Sequence, residues 1–335
     1  MTIKNNMKMS GIANISLIKK LKNFREGTMV LIIIVISILL WILSPSFLTV
    51  SNLRAVAVGF SINAMVVVGM ALVMISGGID LSVGSVLALS TITVAKLYAN
   101  GTPLILAILA AIAVCALCGL FNAFFIGKYN MPPFIVTLAL MSVARGLCYI
   151  ITRGRSIALT GQLPAGFKEL GSGNILGMPI LVIIVVVFVV IADILFRKSA
   201  LLRLVFYTGS NQKAAQFSGI NVTKVKFGVY IASSILCGLG GILMFSRFSY
   251  ASATAGNGME LTMIAGAIIG GVTFEGGEGT VLGSVLGIIL LALITNGLVL
   301  VNISVYWQKF IAGIILILAV WFDYYRSKTS KEKLT

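Results

Sequence analysis

The side chains that could bind a solute in this sequence are few, and they stand among apolar residues. Asp80 lies in the stretch GGIDLSVGS (77–85), and a carboxylate in an apolar run tends to face a bundle interior or a polar cavity. Asp80 is therefore a candidate for lining or gating a solute pathway. Alternatively, it caps the helix predicted to follow it. The amides of Asn122 and Asn296 either contact solute or hydrogen-bond neighbouring helices, the commoner role. The candidate pathway residues are Asn63, Asp80, Ser82, Asn122 and Asn296.

Two further charged groups in apolar runs need partners. Arg145 lies in the middle of such a run, and Asp80 and Glu260 are the candidates for its counter-charge. Asp193 stands near the end of another run beside Arg197, and we predict a surface ion pair between them.

Groups that catalyse reactions or bind metals are scarce. The sequence has no histidine, which removes His metal sites, general bases and proton relays. Its four cysteines lie in apolar runs, where Cys behaves as a small apolar residue. The phosphate-loop pattern G-x-x-x-x-G-K-[ST] is absent, so ATP can drive this chain only through another polypeptide. We expect no enzyme activity, no catalytic residue, no metal ion and no cofactor.

The composition indicates the class of protein that positions these groups. The chain has 335 residues, of which 59% are hydrophobic and 10% charged, with a mean hydropathy of +1.09. Soluble domains carry about 25% charged residues. This excludes a soluble enzyme, a disordered chain and a disulfide scaffold, and it predicts an all-α polytopic membrane protein with about ten spans. The predicted spans are 28–43, 54–76, 81–99, 103–126, 134–152, 179–196, 227–246, 259–273, 281–301 and 305–322.

Positive charge predicts the orientation of these spans. The formal net charge of +16 comes from short Lys/Arg clusters between apolar runs, which the positive-inside rule explains better than nucleic-acid binding does. We therefore expect no nucleic-acid partner, and both termini in the cytoplasm. The predicted organisation is a basic cytoplasmic N-terminal segment (1–27), a transmembrane domain (28–325) and a basic cytoplasmic tail (326–335). The long outer loop 153–178 has either a capping or a docking role.

Two glycine-rich stretches interrupt the apolar pattern. They are GGIDLSVGS (77–85) and GGVTFEGGEG (270–279). A similar run accompanies each stretch, VGSVL (83–87) with the first and LGSVL (282–286) with the second, which indicates a parallel internal repeat. Paired glycines permit positive φ and close backbone approach, and transporters place substrate sites at such broken helices. Span 259–273 is short enough to be a half-helix. The candidate gating or backbone-break residues are Gly77, Gly78, Gly84, Gly270, Gly271, Gly276 and Gly277.

A polar segment precedes the seventh span. It reads GSNQKAAQFSGINV (209–222), in which a Ser or Asn cap is followed by a short helix that Gly219 would end. Such a helix between spans is either a surface feature or a lever that a partner pushes.

From about residue 28 to 325 the sequence resembles the permease subunits of monosaccharide ABC importers of the ribose, xylose, arabinose and galactose group. The resemblance rests on the segments 77–85, 131–146, 209–222, 260–279 and 296–297. It implies that the 209–219 helix is the coupling helix, which docks into a cytoplasmic ATPase. The residues that match this family loop are Gly209, Asn211, Ala214, Ala215 and Gly219.

The resemblance also implies function and partners. It implies alternating access for a monosaccharide, a ribose-like pentose above all, in the bacterial cytoplasmic (inner) membrane and surrounded by its lipid. The implied partners are a cytoplasmic tandem ATPase, an extracytoplasmic solute-binding protein and a second permease copy, identical or a close paralogue.

Departures from the family pattern keep other solutes open. The stretch SALLR (199–203) replaces the usual Thr-x-Phe-Gly-Arg, and Thr262 stands where the family has a carboxylate. The alternatives are a permease of the same group for a non-sugar solute, such as a furanosyl signalling molecule or a nucleoside, and an ion-coupled secondary transporter.

Overall fold

A computed structural model describes residues 25–332 of the chain, and almost all of its regular structure is helical. The helices are α1 (Arg25–Leu43), α2 (Val50–Ile75), α3 (Val83–Ala99), α4 (Leu104–Ala123), α5 (Pro133–Thr152), α6 (Ala165–Ser172), α7 (Ile180–Lys198), α8 (Ala200–Ser210), α9 (Gln212–Phe217), α10 (Val222–Phe248), α11 (Met259–Ile269), α12 (Val281–Leu300) and α13 (Val305–Glu332). The strands are β1 (Ile157–Ala158), β2 (Asn174–Ile175), β3 (Met178–Pro179) and β4 (Tyr250–Ala251).

The helix lengths match the predicted spans. Eight of the described helices are long and apolar enough to cross a membrane, and α3 and α11 are shorter apolar helices. Together they account for the ten predicted spans, so the prediction of an all-α polytopic membrane protein is confirmed. The predicted half-helix is α11, which ends at Ile269 because Gly270 and Gly271 follow it.

Two helices extend beyond the predicted span bounds. Helix α10 begins at Val222 rather than near residue 227, because the side chain of Asn221 accepts a hydrogen bond from the amide of Lys224 and caps the helix there. Helix α13 continues into the predicted tail as far as Glu332. Almost all of the predicted N-terminal segment 1–27, and residues 333–335 of the tail, lie outside the described residues.

The core is built around α10, which packs against α2, α3 and α4. Between Ala64 and Ile75 every residue of α2 is buried. Small residues allow this close packing: at Gly119 of α4 a side chain would clash with the backbone of α10 at Ile231. The α2, α3, α4 and α10 bundle therefore forms the rigid centre of the molecule.

The two ends of the bundle differ. At one end, here called the α6 end, β1 pairs with β4, and α6 packs on the last turn of α10, where the Ser246 hydroxyl donates to the carbonyl of Phe167 at 2.6 Å. Much of the loop 153–178 therefore packs against this end of the bundle. At the opposite end, here called the α9 end, the last turn of α8 meets the two glycine-rich breaks, and α9 follows α8 in the chain.

Candidate functional site

The two glycine-rich breaks touch each other at the α9 end. The amide of Gly277 donates to the carbonyl of Ile75, the last residue of α2, at 2.9 Å. A Cβ on Gly276 would come within 2.8 Å of the Cα of Gly77. All three glycines have positive φ, between +80° and +90°, which side chains disfavour. The break after α2 and the break between α11 and α12 thus form one contact.

Gly209, in the last turn of α8, lies against this contact. A Cβ there would overlap the carbonyl oxygen of Ile75 and press on the amide nitrogen of Gly277, the two groups that hydrogen-bond each other. We call Ile75, Gly77, Gly209, Gly276 and Gly277 the glycine joint. Because packed interiors transmit strain, a displacement of α8 would press on both breaks.

Helix α9 begins at Gln212, shortly after Gly209 of the glycine joint. The side chain of Asn211 accepts a hydrogen bond from the amide of Ala214 at 3.0 Å and caps α9, and Gly219, with φ +83°, comes just after its end. Ala215 faces inward and is buried. Helix α9 is therefore shorter than the predicted 209–219 helix, because the extended backbone of Asn211 separates it from α8.

Sequence reasoning missed Phe217 at the end of α9. Its side chain is 91% exposed, and it is the large apolar residue of an otherwise polar and small-residue helix. An isolated phenylalanine in a short polar helix is the signal that would have found it. An exposed aromatic side chain beside a helix with a packed inner face is suited to contact another protein.

The other predicted glycines have separate roles. Gly84 lies inside α3, so it is not a backbone break; its missing side chain lets the carbonyl of Gly256 approach. Gly270 is helical and packs against Gly283 of α12, whereas Gly271 has φ +93° and forms the turn.

Asp80 lies in a buried polar cluster rather than at either end. Its carboxylate is fully buried and accepts hydrogen bonds from the amide and the hydroxyl of Ser82 at 2.9 and 2.5 Å, and from the hydroxyl of Ser233 at 3.4 Å. The Asn122 amide donates to the Ser82 hydroxyl at 3.3 Å. Ser82, not Asp80, occupies the N-cap position of α3. Three predicted pathway residues thus form one network between α3, α4 and α10.

Asn63, by contrast, lines a cavity near the α6 end. This cavity of about 470 Å³ is bordered by α2, α3, the end of α10 and the loop before α11, and its polar lining includes Asn63, Arg247, Asn257 and Thr262. A second cavity of about 490 Å³, between α11, α12 and α13, shares Asn257 and Thr262 with it. Polar groups from several helices therefore converge where a solute could enter.

Asn296 is engaged elsewhere. Its amide and that of Asn52 in α2 exchange two hydrogen bonds, each 2.9 Å long. This is the interhelical role that the sequence left open as the alternative to solute contact.

The predicted partners of Arg145 are wrong. Its guanidinium donates to the carbonyls of Ala253 and, at 2.8 Å, Ala255 in the loop before α11, and to neither predicted carboxylate. The loop turns its carbonyl groups toward α5, so backbone rather than a carboxylate provides the partner.

The predicted ion pair between Asp193 and Arg197 is confirmed, with a distance of 2.7 Å. Arg197 also bonds Glu26 of α1 at 2.8 Å, a link between α1 and α7 that the sequence analysis missed.

No group of three or more His, Cys, Asp or Glu residues within 25–332 is arranged to hold a metal ion. The described site offers hydrogen-bonding groups, a cavity and a packed joint. It is therefore suited to binding and movement.

Comparison with known proteins shows the family to which the chain belongs. Residues 52–320 match the family described as branched-chain amino acid transport system / permease component. The chain is 40% identical over 297 residues to the ribose import permease protein RbsC of Bacillus subtilis (strain 168), covering 89% of this chain and 90% of that protein. It is 34% identical to RbsC of Escherichia coli (strain K12), covering 84% and 88%.

A third relative is the L-arabinose transport system permease protein AraH of Escherichia coli (strain K12), 33% identical over 303 residues, covering 90% of this chain and 92% of that protein. No solved structure matches the chain significantly. The match over most of the chain confirms the resemblance stated from the sequence. The protein is a multi-pass membrane permease that belongs to the family of branched-chain amino acid transport system / permease components.

Proposed function

We propose that this chain is the membrane permease subunit of an ATP-binding-cassette importer that carries a monosaccharide. The observation that supports this best is the position of Gly209, which links α9 to the glycine joint. A separate cytoplasmic ATPase binds α9, and its closure displaces α8. The displacement reaches α2 and α12 together through the bond between Ile75 and Gly277. Access to the pathway then alternates between the two ends of the bundle.

The solute class follows from the cavities and the relatives. Amide, hydroxyl and guanidinium groups around the 470 Å³ cavity can hydrogen-bond the hydroxyls of a sugar. The relatives are named as ribose and arabinose permeases, which favours a ribose-like pentose. One observation supports a second candidate: Thr262, which replaces a carboxylate of the family pattern, lines both cavities. A furanosyl signalling molecule or a nucleoside fits a site with that changed polarity.

The remaining parts of the importer are proposed on the same basis. An extracytoplasmic solute-binding protein delivers the solute to the α6 end. A second permease copy, identical or a close paralogue, completes the pathway. The assembly lies in the cytoplasmic membrane with the α9 end and both termini in the cytoplasm, as the positive-inside rule requires.

The test compares two glycines of the α9 half. Gly209→Ala places a methyl group on the bond between Ile75 and Gly277, whereas Gly228→Ala in α10 meets no atom within 4 Å. The permease is reconstituted with its ATPase and binding protein, and ATP-driven uptake of labelled ribose is measured. Gly209→Ala is expected to lower uptake at least about tenfold while the ATPase still co-purifies, because overpacking there distorts the joint. Gly228→Ala is expected to transport normally.

Two outcomes would contradict the proposal. One is wild-type permease that transports without an ATPase partner. The other is Gly209→Ala protein that transports as well as Gly228→Ala. Competition of uptake by unlabelled ribose, arabinose and a nucleoside then identifies the solute class.

A further inference from the structure

We infer that the buried polar cluster around Asp80 is a binding site for an alkali-metal cation, separate from the solute cavities and from the glycine joint. The cluster comprises Asp80, Ser82, Asn122 and Ser233. The cation would hold the segment between α2 and α3 to α4 and α10. Its function is structural, and it does not depend on which solute the permease carries.

The first observation is a buried carboxyl group without a cationic partner. Asp80 is fully buried, and its hydrogen-bond donors are one amide and two hydroxyls. Within residues 25–332 neither of the ion pairs found includes Asp80, and both belong to Arg197. A carboxylate buried without a counter-charge either takes up a proton or binds a cation, and a cation at this position would stabilise the fold with Asp80 ionised.

The second observation is a set of buried oxygens without partners. The Oδ1 atom of Asn122 has no hydrogen-bond partner, although the amide nitrogen of the same side chain bonds Ser82. The hydroxyl oxygens of Ser85, one turn along α3 from Ser82, and of Ser234, beside Ser233 in α10, are also buried and unpaired. Buried oxygens are normally satisfied, and these three lie on the helices that enclose Asp80.

The ligand chemistry selects the class of ion. The side chains that are hydrogen-bonded within this cluster, Asp80, Ser82, Asn122 and Ser233, offer oxygen ligands of which only one carries a negative charge, whereas Ca²⁺ and Mg²⁺ sites use more carboxylates or retained waters. The Ser233 hydroxyl and the Asp80 carboxylate are 3.4 Å apart, long for a hydrogen bond. One negative charge among neutral oxygens fits a monovalent cation such as Na⁺ better than a divalent one.

The test measures ion-dependent stability of the purified full-length permease in detergent. Its apparent Tm is recorded in sodium, potassium and choline chloride at equal ionic strength. A saturable rise of about 3 °C or more in sodium or potassium over choline is expected, because a ligand that binds only the folded state stabilises it. Whichever alkali ion gives the larger rise is the one the site prefers.

Variants locate the effect. Asp80→Asn removes the charge and is expected to abolish the ion-dependent shift, and Asn122→Ala is expected to raise the concentration needed for half of it. Ser142→Ala, on the exposed side of α5, keeps the full shift. The inference is overturned if wild-type Tm is equal in the three salts, or if Asp80→Asn and Asn122→Ala both keep the wild-type response. Transport defects leave this readout unchanged, so it fails or succeeds independently of the proposed function.

Discussion

Asn52 and Asn296 join α2 to α12 near the α6 end by two reciprocal amide hydrogen bonds. Asn52 also donates to the carbonyl of Phe47, so it ties the turn between α1 and α2 into the same contact. Amide pairs between membrane helices contribute modestly to stability, since the unfolded chain finds other partners in the membrane. The pair therefore joins α2 to α12, and the polar lining of the solute cavity comes from other residues.

Asn296→Ala is expected to lower the free energy of unfolding by about 1–2 kcal/mol, because it leaves the Asn52 amide partly unpaired. The double variant with Asn52→Ala should lose less than the sum of the two single losses, since both remove the same bonds. Thermal unfolding in detergent measures the stabilities, and ribose uptake checks that the KM is unchanged. Strictly additive losses would contradict the amide pair. A large rise in KM would place Asn296 in the solute pathway.

At the scale of single residues, the sequence shows which side chains need a partner better than it shows which group that partner is. The four-residue spacing of Asp193 and Arg197 was enough to predict their ion pair, because both lie on one helix face. Arg145 needed a partner equally clearly, but its partners are backbone carbonyls of a loop more than 100 residues away. Every residue has a carbonyl, so residue types give no signal for such a contact.

At the scale of elements, α9 is a short helix held by its ends. Asn211 caps its start, Gly219 turns the chain after it, and Ala215 anchors its inner face. Phe217, the last residue of this helix, has an exposed side chain. If an ATPase binds the exposed face, as proposed above, α9 would pass its displacement to the bundle.

Phe217→Ala is expected to weaken binding of the partner ATPase about tenfold or more without lowering the stability of the permease, because the side chain is 91% exposed in the isolated chain. Binding of purified ATPase to permease in nanodiscs measures the affinity. Leu176→Ala, equally exposed but at the α6 end, serves as the control and should bind the ATPase normally. Wild-type affinity of the Phe217→Ala protein would move the docking surface away from α9.

The elements themselves were largely predictable, but their meeting points were not. Hydropathy located the eight helices long enough to cross a membrane and the two shorter apolar helices, and paired glycines located both breaks, because both are local properties of the chain. The contact of Gly77 with Gly276 and of both breaks with Gly209 joins segments up to about 200 residues apart. That contact depends on how the helices pack, and the positions of the glycines in the sequence do not specify which segments meet.

At the scale of the whole molecule, the two ends of the bundle have different tasks. The α6 end carries the cap and the polar cavities, and the α9 end carries the glycine joint and the exposed Phe217. The basic loop between α7 and α10 lies at the α9 end, and for this reason we propose that this end faces the cytoplasm. A permease in the opposite orientation could not receive force from a cytoplasmic ATPase.

This orientation can be measured by labelling introduced cysteines. Three of the four native cysteines are buried and Cys118 is half-buried, so background labelling by a membrane-impermeant maleimide should be low. Thr160→Cys at the α6 end and Ser218→Cys beside α9 both replace exposed residues. On intact cells the reagent should label Thr160→Cys only, and Ser218→Cys should react after the membrane is permeabilised. Labelling of Ser218→Cys from outside would reverse the orientation, and with it the assignment of α9 as the site that an ATPase drives.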